Sequence, residues 1–274
     1  MGLFPSGSCI GFAYYGEADD ENFKEGLQVK KGTLRQILLI TDGCSNKGEN
    51  PEVAAALAYE QGIAVNVIGI LDDEQHEDSS GLKEVEDVAL SGGGVSQIVY
   101  QESLSQTVQM VTKQAMTQTL QVFVNKELTQ IIGKEQTLAD LEPEKRGEVM
   151  EVVEDMGETS RLEIVVLIDT SASMHDKLET VKEALIDLSI SLNARLGENN
   201  FCIFSFPGQR KDIQKVFDWS PKLDKVSTIF PKLTSGGITP TGPAIREAIY
   251  QFSKKSLLRS FRDEDESGST RAWN

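Results

Sequence analysis

The sequence predicts an α/β fold of three layers, in which helices flank both faces of a doubly wound, mostly parallel central sheet. Continuous apolar runs such as Ile164–Ile168 have no polar break, as is typical of strands that are buried on both faces. These runs alternate with amphipathic helical patterns, which indicates parallel strands joined by crossover helices. Hydroxyl and carboxyl groups follow the runs at once, where open α/β sheets bind ligands.

The segment from 32 to 120 shows the alternation clearly. Strand-like runs occur at Leu34–Ile40, Ile63–Ile70 and Val95–Tyr100, and a helical pattern lies in each of the two gaps between them. The first helix begins at Pro51, a favoured residue at a helix start. Together these elements predict a β-α-β-α-β unit.

The segment from 161 to 253 continues the same pattern. Strands are predicted at Arg161–Asp169, Phe201–Phe206 and Ile213–Trp219, and a helix at Lys177–Leu192 carries leucines at three- and four-residue spacing. A loop rich in glycine and proline then leads into a last helical pattern. This segment therefore supplies the remaining strands of the sheet.

Three other segments are predicted to lie outside these two. Residues 121–160 are expected to be a helical connector, whose acidic end fits a solvated helix face. Residues 1–31 are expected to be a flexible leader, because glycine, proline and acidic residues occur there without a period. Residues 254–274 are charged, then small and polar, and are expected to be a disordered tail.

Composition restricts the function classes. The 274 residues carry a net charge of -16, which argues against nucleic acid and anionic membranes as partners, since both attract basic patches. The three cysteines are scattered and form no disulfide framework, which favours a reducing, cytoplasmic setting. No apolar run approaches the roughly 18 residues of a transmembrane helix. The composition leaves the oligomeric state open.

A short polar loop follows the buried run at Ile164–Ile168. Asp169, Ser171 and Ser173 alternate along this loop, so a tight turn can direct all three side chains to one point. Their hard oxygen atoms suit Mg²⁺. Serine and aspartate are also favoured at helix N-caps, but a cap does not require a carboxylate and two hydroxyls in alternation.

Three motifs occur at predicted strand ends and loops: DTSAS from Asp169, GGITPTG around Thr239 and LLITDG around Asp42. Together they resemble the metal-ion-dependent adhesion site of the von Willebrand factor A (vWA) family, and the vWA proteins of spore-forming bacteria look most similar. The resemblance implies a vWA fold and Mg²⁺, with Mn²⁺ or Ca²⁺ as possible substitutes. It also implies a partner protein that offers an Asp or Glu to the metal. The implied ligands are Asp169, Ser171, Ser173, Thr239 and Asp42.

Two of the implied ligands have alternatives. Thr241 is the alternative to Thr239, which is favoured because of its position in the GGITPTG motif. Asp42 is alternatively a cap of the turn that follows its strand.

The order of the motifs departs from the family. An ordinary vWA chain runs from the Asp-x-Ser-x-Ser strand through the threonine loop to the aspartate strand, whereas here the aspartate strand comes first. We therefore predict that residues 32–120 are the second half of a vWA-like fold and residues 161–253 its first half, in circularly permuted order. Neighbouring chain ends make such a permutation feasible. The alternatives are two truncated domains, or two chains that exchange halves.

The function expected from the resemblance is Mg²⁺-dependent protein binding without catalysis. One alternative is an accessory or regulatory subunit of an ATPase or kinase, which would use the same chemistry. The other is an Mg²⁺-dependent phosphoryl-transfer enzyme with Asp169 as nucleophile. Ser171 stands where such enzymes of the haloacid-dehalogenase type have a second aspartate, and no Gly-x-x-x-x-Gly-Lys loop is present.

Overall fold

The structure is a computed structural model, and it describes most of the chain in several ranges. The described residues are 12–13, 28–29, 32–71, 79–132, 138–208, 211, 213–223, 225–228, 230, 233 and 236–269. Two short strands, β1 (Phe12–Ala13) and β2 (Gln28–Val29), pair with each other. Six further strands form the central sheet: β3 (Thr33–Thr41), β4 (Ile63–Leu71), β5 (Gly93–Tyr100), β6 (Arg161–Asp169), β7 (Asn199–Phe206) and β8 (Gln214–Ser220).

The central sheet has the strand order β5-β4-β3-β6-β7-β8. Strands β3 and β6 lie side by side at its centre, in parallel register from Thr33 opposite Arg161 to Ile40 opposite Ile168. Strand β8 pairs antiparallel with β7, and the other neighbours pair parallel. The predicted mostly parallel sheet is therefore confirmed, and the two central strands come from segments far apart in one chain.

Helices cover both faces of the sheet, which confirms the predicted three layers. The α-helices are α1 (Pro51–Glu60), α2 (Ser79–Ser91), α3 (Leu104–Ile132), α4 (Pro143–Thr159), α5 (Leu178–Asn193) and α6 (Thr241–Ser269). The short 3₁₀ helices are Gln101–Ser103, Leu138–Asp140, Ala172–Lys177 and Val226–Thr228. One apolar cluster lies beneath α3, α4 and α5, and a second beneath α1, α2 and α6.

Strand β6 shows why its sequence is apolar without interruption. Ile164 and Val166 belong to the cluster on one face, whereas Val165 and Leu167 belong to the cluster on the other. Each of these side chains is fully buried, and burial of one such side chain stabilises the fold by roughly 1.5–3 kcal/mol. Buried polar side chains of β6 are confined to its two ends, at Glu163, which is paired with Arg35 and Lys255, and at Asp169.

The helical parts of the chain differ from the predicted segment boundaries at two places. Helix α3 crosses the boundary predicted at residue 120, and Val124 from the expected connector is buried in the apolar cluster beneath α3, α4 and α5. Helix α6 continues to Ser269, through most of the tail that we expected to be disordered. Lys255 anchors this part of the helix, since its Nζ lies 3.7 Å from the centre of the Trp219 ring.

The remaining predictions concern the leader at residues 1–31 and the absence of a transmembrane helix. Within the expected leader at residues 1–31, the described residues are the four of β1 and β2, and the rest of this segment lies outside the described residues. In the part of the chain that the structure describes, no helix combines the length and the apolar character needed to span a bilayer.

Candidate metal centre

The candidate site lies at the carboxyl ends of the two central strands. Asp169 is the last residue of β6, and Asp42 directly follows Thr41, the last residue of β3. Because β3 and β6 are parallel neighbours, their carboxyl ends meet at the same edge of the sheet. Two aspartates that are far apart in the sequence are thereby brought into one site.

Asp169 is a fully buried carboxyl group with hydrogen bonds to both oxygens. Its Oδ2 accepts a hydrogen bond from Thr41 Oγ1 at 2.7 Å, and its Oδ1 accepts one from the Ser171 backbone N–H at 2.7 Å. Burial raises the pKa of Asp169 to about 6, although the hydrogen bonds from Thr41 and Ser171 act in the opposite direction. The carboxyl group is therefore held in a fixed orientation, at a cost in solvation of its charged form.

Ser171, Ser173 and Asp42 form a chain of polar contacts beside this carboxyl group. The Oγ atoms of Ser171 and Ser173 lie 3.2 Å apart. Ser173 Oγ donates a hydrogen bond to Asp42 Oδ1 at 2.9 Å. Lys177 Nζ binds the other oxygen of Asp42, Oδ2, at 2.5 Å. The structure therefore brings together four of the five side chains that the sequence predicts as ligands.

The 3₁₀ helix Ala172–Lys177 determines which side chains of this loop point inward. A 3₁₀ helix repeats every three residues, so side chains at positions i and i+3 lie above one another. Accordingly, Met174 and Lys177 are buried, whereas Ser173 and His175 are exposed. Ser173 is left at the edge of the site, where a ligand from outside can reach it.

The glycine-rich loop before α6 lies next to the same edge. Gly236 forms a β-bridge with Ser171 and donates its backbone N–H to the Thr170 carbonyl at 2.9 Å. Further along, the Thr239 N–H donates to Asn46 Oδ1 at 2.8 Å, and the Thr239 carbonyl accepts from the Asn46 N–H at 3.1 Å. These backbone contacts fix Thr239 against the segment that follows Asp42.

Thr241, the alternative to Thr239 as a ligand, has a buried hydroxyl group. Thr241 is buried at the start of α6, and its Oγ1 has no hydrogen-bond partner in the described part of the chain. An unpaired buried hydroxyl is costly unless a ligand or a water molecule satisfies it. Thr239 and Thr241 are therefore both candidates for the fifth metal ligand.

The donor set fits a hard divalent cation. Asp169, Ser171 and Ser173 offer a carboxylate and two hydroxyls, and Mg²⁺, Mn²⁺ and Ca²⁺ prefer such oxygen ligands. In the described ranges, no group of three or more His, Cys, Asp or Glu side chains is arranged to hold a metal. A metal at this site would consequently depend on the serine hydroxyls as well as on the carboxylates.

Three residues of the site were not singled out from the sequence. Thr41 lies in the quoted LLITDG motif, but its contact with Asp169 depends on the pairing of two distant strands. Asn46 reaches Thr239 only because α6 packs beside the loop after β3. Lys177 lies at the start of the predicted helix Lys177–Leu192, but its contact with Asp42 also depends on the pairing of the two central strands.

Comparison with known proteins gives two extensive matches. No established family model matches the chain. The uncharacterized protein YabS of Bacillus subtilis (strain 168) is 60% identical over 238 residues, which cover 87% of this chain and 97% of YabS. The crystal structure of an uncharacterized protein from Alicyclobacillus acidocaldarius subsp. acidocaldarius DSM 446 has a TM-score of 0.76 and 42% identity, covering 82% of this chain and 96% of that one.

A third match is much more distant. Proximal thread matrix protein 1 from the mussel byssus, solved with a zinc-occupied MIDAS motif, is 16% identical with a TM-score of 0.23 over 75% of this chain and 42% of its own. Similarity at that level supports no argument about fold or site. The identity and coverage shared with YabS are far above that level, and on those grounds this chain belongs to the same family as YabS.

Proposed function

We propose that this protein is a protein-interaction module of the vWA type, which binds a partner through a divalent metal. The supporting observation is the hydrogen-bonded cluster of Asp42, Asp169, Ser171 and Ser173 at the carboxyl ends of β3 and β6. The metal that we propose is Mg²⁺, which is bound through oxygen donors and needs only one or two carboxylates from the protein. An Asp or Glu of the partner protein would complete its coordination.

Individual residues would contribute to metal binding in different ways. Asp169, Ser171 and Ser173 would hold the metal, and Thr239 lies in the neighbouring loop. Both oxygens of Asp42 already accept from Ser173 and Lys177, so Asp42 would act by orienting Ser173 or through water. The metal would supply a positive charge that an incoming carboxylate can bind.

We propose binding rather than catalysis. Phosphoryl-transfer enzymes of the haloacid-dehalogenase type carry a second aspartate two residues after the nucleophile, and Ser171 stands at that position here. Ser171 instead belongs to the hydrogen-bonded cluster that we propose as the metal site. An accessory subunit of an ATPase or kinase would use the same binding chemistry, and identification of the partner would separate these two roles.

We also propose that the chain is one circularly permuted vWA domain. In support, β3 and β6 pair along nearly their whole length within one chain, and each would otherwise have an unpaired edge at the centre of the sheet. This arrangement needs no second chain to complete the site.

The proposed function is tested by calorimetric titration of Mg²⁺ into the purified protein. We expect the wild type to bind Mg²⁺ and Asp169→Ala to lose that binding, because the metal would lose its only direct carboxylate ligand. Asp218→Ala is the matched control, since Asp218 lies on the edge strand β8 with a 75% exposed side chain. The proposal is contradicted if Asp169→Ala and Asp218→Ala bind Mg²⁺ equally well.

A second measurement tests the interaction itself. The wild type and Asp169→Ala are each used to capture proteins from an extract, with Mg²⁺ or with EDTA. We expect a partner that is retained by the wild type in Mg²⁺ and lost in both other conditions. Proteins that stay bound in EDTA would show an interaction that does not use this site.

A further inference from the structure

Lys177 is a buried cation within the candidate site. Its side chain and that of Asp42 are each only 2% exposed, and its Nζ lies 2.5 Å from Asp42 Oδ2. A charge removed from water to this extent is destabilising unless it is paired. Lys177 therefore neutralises one of the two carboxylates of the hydrogen-bonded cluster.

This neutralisation determines the net charge of the site. Asp169 and Asp42 contribute two negative charges and Lys177 one positive charge, so the cluster carries a net charge of about -1 when both carboxyls are ionised. A bound divalent cation would reverse this to about +1. Without Lys177, the metal-loaded cluster would be close to neutral and would attract an anionic group far less.

We infer that Lys177 adjusts the site for capture of a carboxylate, at the expense of metal affinity. Its ammonium group repels the metal but leaves the metal-loaded site positive, so that a partner's Asp or Glu binds more strongly. Lys177 is thus a positioning and charge-setting residue that acts through Asp42. The inference rests on the proposed metal-dependent function and specifies how the same site selects its ligand.

Three variants change the cluster charge in a controlled way. Lys177→Met removes the cation and makes the cluster more negative by one charge. Asp42→Asn makes it more positive by one charge. The double variant carries both changes and therefore has the wild-type charge without the ion pair. In all four proteins the carboxylate of Asp169 is unchanged.

The measured quantity is the acetate coupling, which we define as the Mg²⁺ dissociation constant in methanesulfonate divided by that in acetate at equal ionic strength. Acetate stands for the partner's carboxylate, and methanesulfonate is a weakly coordinating anion of the same charge. The titrations are made at about pH 8, where a carboxyl with a pKa of about 6 is ionised. Circular dichroism and unfolding temperature establish that each variant is folded.

We expect the acetate coupling to follow the cluster charge. Asp42→Asn should have the largest coupling, the wild type and the double variant similar intermediate values, and Lys177→Met a coupling near unity. Lys177→Met should also bind Mg²⁺ more tightly than the wild type, by on the order of tenfold, because one repulsive charge near the metal is removed. If one single variant does not fold, the other still gives a comparison that differs only in Lys177.

Two outcomes would overturn the inference. One is an acetate coupling that is the same in all folded variants, and the other is a Lys177→Met variant that binds Mg²⁺ more weakly while its coupling is unchanged. Either outcome would assign Lys177 a merely structural role. Failure of the wild type itself to bind Mg²⁺ would instead contradict the proposed function.

Discussion

At the scale of single residues, Asp169 combines complete burial with an unusual proton affinity. Its carboxyl group has no exposed surface, and its pKa is raised to about 6 chiefly by desolvation. An unfolded aspartate titrates near pH 3.9. Because the folded state holds this proton more tightly, Asp169 stabilises the fold fully below about pH 4, and that contribution is lost as the pH rises through about 6.

The raised pKa of Asp169 should make the stability of the metal-free protein depend on pH. As the pH rises from about 4 to about 7, Asp169 should lower the free energy of unfolding by about 2 kcal/mol, since each unit of pKa corresponds to 1.36 kcal/mol and the unfolded carboxyl is already half ionised at pH 4. Asp169→Asn should lack this loss, because the amide does not ionise. The new amide can donate to Thr41 Oγ1, whose hydrogen can turn to the Gly43 carbonyl, 3.2 Å away.

Urea unfolding of the wild type and Asp169→Asn in EDTA at several pH values measures this difference. Acidic groups that do not interact with Asp169 contribute equally to both proteins and cancel in the comparison. Parallel pH profiles for the two proteins would contradict the assignment. A related expectation is that Mg²⁺ affinity falls below about pH 6, where protons compete with the metal for Asp169.

At the scale of elements, the start of α6 lies in close contact with the loop after β3. A Cβ atom at Gly242 would lie 2.2 Å from the Glu49 carbonyl oxygen, which is well inside contact distance. Arg246, one turn later in the helix, forms an ion pair with Glu49 at 2.8 Å. This close approach holds the Thr239 loop against the segment that follows Asp42.

Gly242→Ala should therefore destabilise the protein by about 1–3 kcal/mol, because the backbone of one element must move to admit the methyl group. Gly147→Ala is the control, since Gly147 lies inside α4 and its added Cβ would contact nothing within 4 Å. That substitution should stabilise the protein by about 0.5–1 kcal/mol through helix propensity. The free energies of unfolding of the two variants check both expectations.

The variants Gly242→Ala and Gly147→Ala also test whether the Thr239 loop contributes to metal binding. Gly242→Ala should also weaken Mg²⁺ binding, because the shift of α6 moves Thr239. Gly147→Ala should leave the Mg²⁺ affinity unchanged. Equal Mg²⁺ affinities in the two variants would show that the Thr239 loop does not contribute to metal binding.

At the scale of the whole molecule, the segments 32–120 and 161–253 should form the same fold in either order along the chain. Glu163 on β6 lies 3.7 Å from the guanidinium of Arg35, near the start of β3, and 3.2 Å from Lys255 on α6. The start of the first segment and the end of the second therefore meet at one buried carboxylate. A short linker can join them without disturbing either segment.

A re-permuted variant should therefore fold. It begins at Leu141, runs to Leu257, continues through a short Gly-Ser linker to Gly32 and ends at Asp140. We expect native-like circular dichroism and a Mg²⁺ affinity within about threefold of the wild type, because the pairing of β3 with β6 is retained. A soluble variant without cooperative unfolding would contradict the description of the chain as one permuted domain.

The strands of the sheet and the oxygen donors at their ends could be predicted from local patterns in the sequence. The apolar runs of β3 and β6 predicted buried parallel strands, and the polar residues at their ends predicted hard-oxygen ligands. The extension of α6 to Ser269 was not predicted, because Lys254, Lys255 and Ser256 are polar and the contact of Lys255 with Trp219 is made by tertiary packing.

The assembly of those ligands into one site depends on long-range contacts that local patterns do not contain. Thr41 reaches Asp169, and Lys177 reaches Asp42, across more than a hundred residues of sequence. Local patterns report which face of an element is apolar, but the partner of a buried polar group depends on which strands become neighbours in the sheet. The pairing of β3 with β6 thus created the ion pair that sets the charge of the candidate site.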